Sequence, residues 1–364
     1  MIAAGVLAGS IPATAGDPLP AKTPAQVLEL LASHQVQSFS GTVEQSSELG
    51  LPELPAAGKP TGPASAGGAA SVIELLSGDH TARIYVDGKD NARLQVVDQL
   101  AERDVIHHGN DVWFYSSKDN SAAHLAFPAH AGDTARPDDG RGMHAMPTPG
   151  ELARKLLAKV EPTTAVTVGP DVAVAGRAAY NLVLEPRTDA TLVGRVAVAI
   201  DGKNGMPLSV QVTARGADKP AFRSGFTSLS LDAPDPSLFT FAPPPGSTVK
   251  EIQVPDKSRL PASFHEPGMA ITPEQFFAQM AAKGHPSVTG KSWDAVVGLP
   301  AQASSGSPAE TLLRDPLLSQ AAVVVPGGHL LSTALLNVLI MDDGRIFAGM
   351  VPPERLQAVA AGAQ

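Results

Sequence analysis

From His80 to Asp232, apolar residues recur at alternate positions in one short run after another, each bounded by residues that favour turns. A period of two puts successive side chains on opposite faces of a pleated chain, so the pattern commits most of this stretch to β-structure. His80 to Asp87 alternates through Ala82, Ile84 and Val86, and Asp87-Gly88 turns the chain into Ala92 to Gln99. Arg103 to His108 and Asp111 to Ser116 flank Gly109-Asn110, a hairpin signal, and Ala122 to Phe127 closes the first set. Strands resume at 165–168, 172–174, 178–186, 195–201, 207–215 and 221–232. Val196, Val198 and Ile200 face Leu208, Val210 and Val212 across Asp201-Gly202-Lys203-Asn204-Gly205, the clearest hairpin of the chain. In the last strand the apolar parity shifts between Phe226 and Leu229, which predicts a bulge. Many sequential antiparallel strands and few helices predict a mainly β, α+β fold. The expected architecture is one large curved sheet, with helices on the concave face and solvent on the other.

The helices are marked by their starts. Thr23, Pro24 and Gln26 form a capping box with proline in the first turn, followed by an apolar stripe of Val27, Leu28, Leu30 and Leu31. Thr148-Pro149-Gly150-Glu151 repeats the device ahead of Leu152, Leu156, Leu157 and Val160. Pro52 to Gly68 and Pro128 to Pro147 read as long loops. Past Val249 the organisation changes. A capped helix is expected from Thr272 to Lys283, a short strand from Ser292 to Gly298, and a hairpin around Asp342-Asp343-Gly344 joining 330–341 to 345–351. A short helix follows Pro352-Pro353-Glu354. This piece is expected either to stand apart or to extend the main sheet.

Composition narrows the function. A net charge of −9, with Lys and Arg scattered, argues against nucleic acid and against docking on anionic lipid heads. The 364 residues contain no cysteine, which removes disulfides, thiolate metal sites, cysteine nucleophiles and a lipid-modified cysteine. Met1 to Ala15 is uncharged and apolar and ends in the small-x-small pattern Ala13-Thr14-Ala15, as the core and cleavage site of a signal peptide do. A positively charged n-region is missing, which fits a start further upstream, and an uncleaved anchor is the alternative. Export to the cell envelope or outside the cell is therefore expected.

Residues 195–249 resemble the C-terminal half of the LolA-like lipoprotein-carrier superfamily. The resemblance rests on Val-Ala-Ile-Asp-Gly-Lys-Asn-Gly-Met-Pro-Leu at 198–208, on Phe226-Thr227-Ser228-Leu229, and on Pro234-Asp235-Pro236-Ser237-Leu238-Phe239-Thr240-Phe241 with Pro243-Pro244-Pro245-Gly246 behind it. The N-terminal helix and the Phe39-x-Gly41 strand extend the similarity over residues 22–250. It implies an unclosed antiparallel β-barrel whose opening is plugged by helices around an apolar cavity for acyl chains. It also implies an alternative role, that of RseB-like regulators, which sense envelope stress beside an anti-sigma factor. The chain departs from actinobacterial lipid-binding lipoproteins in lacking their cysteine, and from the short carriers in its C-terminal residues 251–364. The expected organisation is 1–21 as leader or anchor, 22–250 as the LolA-like unit, and 251–364 as an extension of helix, β-hairpin and short helix.

An acyl site needs an apolar wall and a lid, because each buried methylene is worth about 0.8 kcal/mol. The candidate wall is Tyr180, Leu182, Leu184, Val196, Val198, Ile200, Leu208, Val210 and Val212, and the candidate lid is Leu28, Leu31, Leu152 and Leu156. Ordinary core packing is the alternative for each of them. No Gly-x-Ser-x-Gly elbow, His-Glu-x-x-His or phosphate loop occurs, so catalysis, metal and cofactor are not expected, and an enzyme on cell-envelope substrates is the less favoured alternative. His107 and His108, adjacent on a strand, point to opposite sides and make a poor chelate. Trp113 and Tyr115 share a face, either at a cavity mouth or in sheet packing. The expected partners are lipid or lipoprotein acyl chains, or a membrane protein such as a transporter or anti-sigma factor, bound by a monomer.

Overall fold

A computed structural model describes residues 11–12, 18–50, 79–98, 101–126, 163–253, 287–301, 309 and 321–362. Among them, α1 (Pro24–Ala32) starts as its sequence predicts. The Thr23 hydroxyl accepts from the Gln26 backbone N–H, and the Gln26 side chain accepts from the Thr23 N–H. The predicted helix at Thr148 and the one at Thr272 lie outside the described residues.

One meander comprises β2 (Ser38–Ser47), β3 (His80–Asp87), β4 (Asn91–Asp98), β5 (Ala101–His108), β6 (Asp111–Ser116) and β7 (Ser121–Ala126). A second comprises β8 (Thr164–Val174), β9 (Arg177–Pro186), β10 (Val193–Asp201), β11 (Pro207–Ala214) and β12 (Pro220–Ser230). The meanders join through antiparallel pairing of β12 with β2. Adding β1 (Ile11–Pro12) beside β8, and β13 (Thr248–Gln253) beside β7, gives thirteen strands in the order β1-β8-β9-β10-β11-β12-β2-β3-β4-β5-β6-β7-β13. Its two ends do not pair, so this is the large, unclosed antiparallel sheet that was expected, with β13 added in parallel. The two runs anticipated at 165–168 and 172–174 are one strand, β8, broken by a bulge between Gly169 and Val172.

Cross-strand pairing carries a single apolar face across both meanders. Leu182, Val198, Val210 and Ser224 are partners in turn, and two residues along β12 Phe226 continues the face to Val43, Ala82 and Val96. The opposite face is not solvated throughout, contrary to the alternation argument. At β4 to β7 it is covered by the segment after β12. Phe239 is 2% exposed, and Phe241 packs on Trp113 and Tyr115 at centroid distances of 5.4 and 5.6 Å. The shared face of Trp113 and Tyr115 is thus packed under the Phe-x-Phe motif.

The extension set at 251–364 begins inside β13, whose residues 251–253 still belong to the main sheet, but the described residues from Ser287 on do not extend it. They form a second, six-stranded sheet of β14 (Ser287–Thr289), β15 (Val296–Leu299), β16 (Val323–Val325), β17 (Gly328–Ser332), β18 (Asn337–Met341) and β19 (Ile346–Gly349), ordered β14-β15-β19-β18-β17-β16. The predicted hairpin around Asp343 is β18–β19, but the run expected at 330–341 is split by a turn at Thr333–Leu336. The final helix, α2 (Pro353–Gly362), buries Leu356 and Ala360 against Val296, Leu339 and Phe347. Ser292–Asp294, expected to be strand, is a single 3-10 turn that buries Trp293.

Candidate functional site

The candidate wall comes together on three adjacent strands. Tyr180, Leu182 and Leu184 on β9, Val196, Val198 and Ile200 on β10, and Val210 on β11 share one apolar cluster, and all are 0–2% exposed. Val212 packs half-buried against the same cluster. Leu208 does not join it. A bulge between Ala199 and Ile200, where Pro207 rather than Leu208 pairs with Ile200, shifts the strand there. Leu208 then packs with Val43, Ala82, Met206 and Phe226 in the neighbouring cluster.

The cover comes from two places. From the candidate lid, Leu31 is buried and Leu28 half-buried against the wall, beside Val27 at the i−4 position on the same helix face. Leu152 and Leu156 lie outside the described residues. The other half of the cover went unforeseen: Trp293 and Leu335 of the C-terminal region are buried in the same cluster, with Ala334 and Met350 beside them. Backbone bonds fix this contact, Leu192 N–H donating to Met350 O at 2.8 Å and Ala334 N–H to Leu49 O at 2.9 Å. A tryptophan in a chain with only two is the available signal, but its neighbours read as strand and hide its role.

The turn before β11 seats α1. Asp201, 1% exposed, accepts from the backbone N–H groups of Lys203 and Asn204 and is ion-paired with Arg177. Burial alone would raise its pKa, but Arg177 and the two backbone donors outweigh it and hold the carboxyl below its ordinary value. Gly205 then takes φ 76°, and a Cβ there would lie 2.2 Å from Leu30 O. Only glycine lets the turn approach the end of α1 so closely. The chain just before α1 is held too: Tyr180 donates its hydroxyl to Pro20 O at 2.8 Å, and Leu19 N–H donates to Asp171 at 3.0 Å.

Two recesses lie away from this wall. One of about 380 Å³ is a shallow saddle beside the β12 bulge, lined by Ser40, Thr42, Arg83 and Tyr85 among others. The other, about 210 Å³, lies on the reverse face of β9 to β11 and is lined by Asn181, Arg195, Ser209, Gln211 and Thr213 with small apolar residues. Alternation in the sequence marks these positions as polar, but it does not distinguish a recess from an ordinary solvated face.

Among the described residues, no group of three His, Cys, Asp or Glu side chains gathers to hold a metal, and no helix is long and apolar enough to cross a membrane. His107 and His108 bond separately, to Gly109 O at 2.9 Å and Asn91 Oδ1 at 2.7 Å.

No protein-family model matches the chain, and no curated protein matches it. Among solved structures it is similar to the MucA/MucB complex of Pseudomonas aeruginosa, at 15% identity over 93% of this chain and 96% of that one, with a TM-score of 0.44. It is similar to an uncharacterized conserved protein of Thermus thermophilus, at 10% identity over 63% and 98%, with a TM-score of 0.34. It is also similar to a LolA superfamily protein of Nitrosomonas europaea, at 12% identity over 61% and 99%, with a TM-score of 0.24.

Proposed function

We propose that this chain is an extracytoplasmic, non-catalytic binding protein for lipid or lipoprotein acyl chains, in which the acyl chain competes with α1 for the apolar wall. The observation that carries the reading is the seating of one nine-residue helix on a wall of seven fully buried side chains from three adjacent strands. Isolated helices of this length are marginal in water, so α1 stays helical only while it is docked. It buries only Val27 and Leu31 fully. The wall is therefore an apolar surface covered in part by a short helix that is separable from the rest of the cover, which comes from Trp293 and Leu335. The sequence resemblance of residues 22–250 to lipoprotein carriers supports the same reading, and the apolar run at 1–15 supports export. The unit 22–250 carries the binding function in this proposal, and residues 251–364 form the second half of the cover.

Native mass spectrometry of protein purified from its own host tests this, together with titration by a fluorescent long-chain fatty acid. The expected result is a co-purifying acyl species and saturable, one-to-one binding of the probe. Protein that carries no lipid and does not bind the probe would end the proposal.

A second reading, regulation through a membrane anti-sigma factor, draws on β16. Among the described residues this strand ends the C-terminal sheet, and Val323 and Val324 are 63% and 76% exposed. An exposed apolar edge invites strand addition by a partner segment. Binding of a purified anti-sigma extracytoplasmic segment, abolished by Val324→Pro, tests it.

A further inference from the structure

On the face of β9 to β11 turned away from the apolar wall, we infer a second binding site, one for a phosphate monoester carried on a small polyol. The recess there measures about 210 Å³. That is room for about seven waters and is below the roughly 300 Å³ at which drug-sized pockets begin, so the occupant is small. Its polar lining is Asn181 from β9, Arg195 from β10, and Ser209, Gln211 and Thr213 from β11, with no carboxylate among the lining residues. Ser209 and Thr213 are 6% and 4% exposed, so their hydroxyls sit in the floor while Arg195 stands at the rim. Among the described residues Arg195 has no ion-pair partner. A second guanidinium, Arg223, is the cross-strand neighbour of Gln211 on the same face.

A guanidinium recognises a phosphate through two parallel N–H bonds, and amide and hydroxyl donors from the neighbouring strands reach its remaining oxygens. The same amides and hydroxyls also accept from polyol hydroxyls, which a purely cationic patch does not.

The backbone is shaped for the recess. Four register shifts surround it, and each places a lining residue at its edge: Val172 in β8, Arg195 and Ala199 in β10, and Thr213 in β11. Bulges bend a strand and re-aim its side chains, and they concentrate next to binding sites. Two strand glycines keep the polar floor in place. A Cβ at Gly225 would meet the Ser209 Cβ at 2.7 Å, and one at Gly169 would meet the Asn181 amide at 3.1 Å. Because Val196 and Val198 point to the other face, this site is separate from the acyl wall and goes beyond the function proposed above.

Isothermal titration calorimetry of the full chain with glycerol 3-phosphate, with glycerol, and with inorganic phosphate tests the inference. In a parallel arm the protein is co-sedimented with phosphatidylcholine vesicles with and without phosphatidic acid, which carries the same group on a lipid. We expect glycerol 3-phosphate to bind and glycerol not to bind. Arg195→Gln should weaken binding about tenfold or more, as loss of a charge-assisted bond does. Asn181→Asp should weaken it further by repulsion, with fatty-acid binding unchanged in both variants. Binding confined to vesicles containing phosphatidic acid, and lost in Arg195→Gln, assigns the group to a lipid head. Absence of binding in both arms, or undiminished binding by the two folded variants, overturns the inference.

Discussion

Trp293 Nε1 donates to Thr164 Oγ1 at 2.7 Å, with both residues buried, and so a turn of the C-terminal sheet is bonded to the first residue of β8 in the main one. The bond joins residues 129 apart and sits inside the cluster that covers the wall. Trp293→Phe keeps most of the apolar contact but leaves the Thr164 hydroxyl buried without this donor, at a cost of about 1–3 kcal/mol. Trp293→Ala also opens a cavity and should cost about 3–5 kcal/mol. Urea denaturation measures both. Hydrogen exchange should show increased opening at β8 and β15 in the alanine variant, and unchanged exchange there would mean that the sheets do not depend on this contact.

If an acyl chain displaces α1, weakening the helix must strengthen binding. Thr23→Ala removes the capping box at a cost of about 1 kcal/mol to the docked helix. Since 1.4 kcal/mol is a factor of ten, the apparent affinity for a fatty-acid probe should rise roughly fivefold. Thr23 is exposed and is not one of the apolar wall residues, so a direct effect on the ligand is not expected. A fall in affinity would show that α1 is part of the bound state and not its competitor.

Gly41 explains the Phe-x-Gly motif in space. A Cβ at this position would lie 2.5 Å from Ser228 O and 2.8 Å from the Phe226 ring, which meets Phe39 edge-on at 6.0 Å. Gly41→Ala therefore overpacks the β2–β12 seam and should cost about 1–3 kcal/mol by thermal unfolding. Phe226→Leu in the same background makes room and should recover part of the loss.

That seam also shows what the sequence made legible. The parity shift between Phe226 and Leu229 is a local signal, and the register shift appears there, with Phe226 paired to Val43 and Ser228 to Thr42. Hairpins were equally local and appear where the turns said. Contacts made at long range were hidden. The parallel pairing of β13 with β7 joins Thr248 to Ser121, and no pattern in either run indicates it. Leu208 followed the alternation of Val210 and Val212 in sequence, but the bulge at Ala199 moved it to another cluster. The wall residues were legible because strand alternation determines which face they share. Which segments cover them was not, since Trp293 and Leu335 arrive from far along the chain.

Two buried aspartates should make stability depend on pH with opposite signs. At Asp201 burial raises the pKa, but Arg177 and the Lys203 and Asn204 N–H groups overcome it, so the folded value lies below the ordinary 3.8. Such a group stabilises the fold above its unfolded pKa, and this contribution is lost as pH falls through the lower folded value. At Asp104 burial dominates over the Arg93 partner and the folded value lies above 3.8. There the folded state binds the proton more tightly, so the contribution is present in acid and is lost as pH rises from 3.8 through the raised value. Asp201→Asn should therefore cost more at pH 7 than at an acid pH where the protein still folds, by about 1–3 kcal/mol at neutrality. The penalty of Asp104→Asn, measured against wild type in the same urea series, should instead shrink as pH rises. Parallel pH profiles for the two variants would mean that the opposed effects of burial and pairing do not decide these two sites.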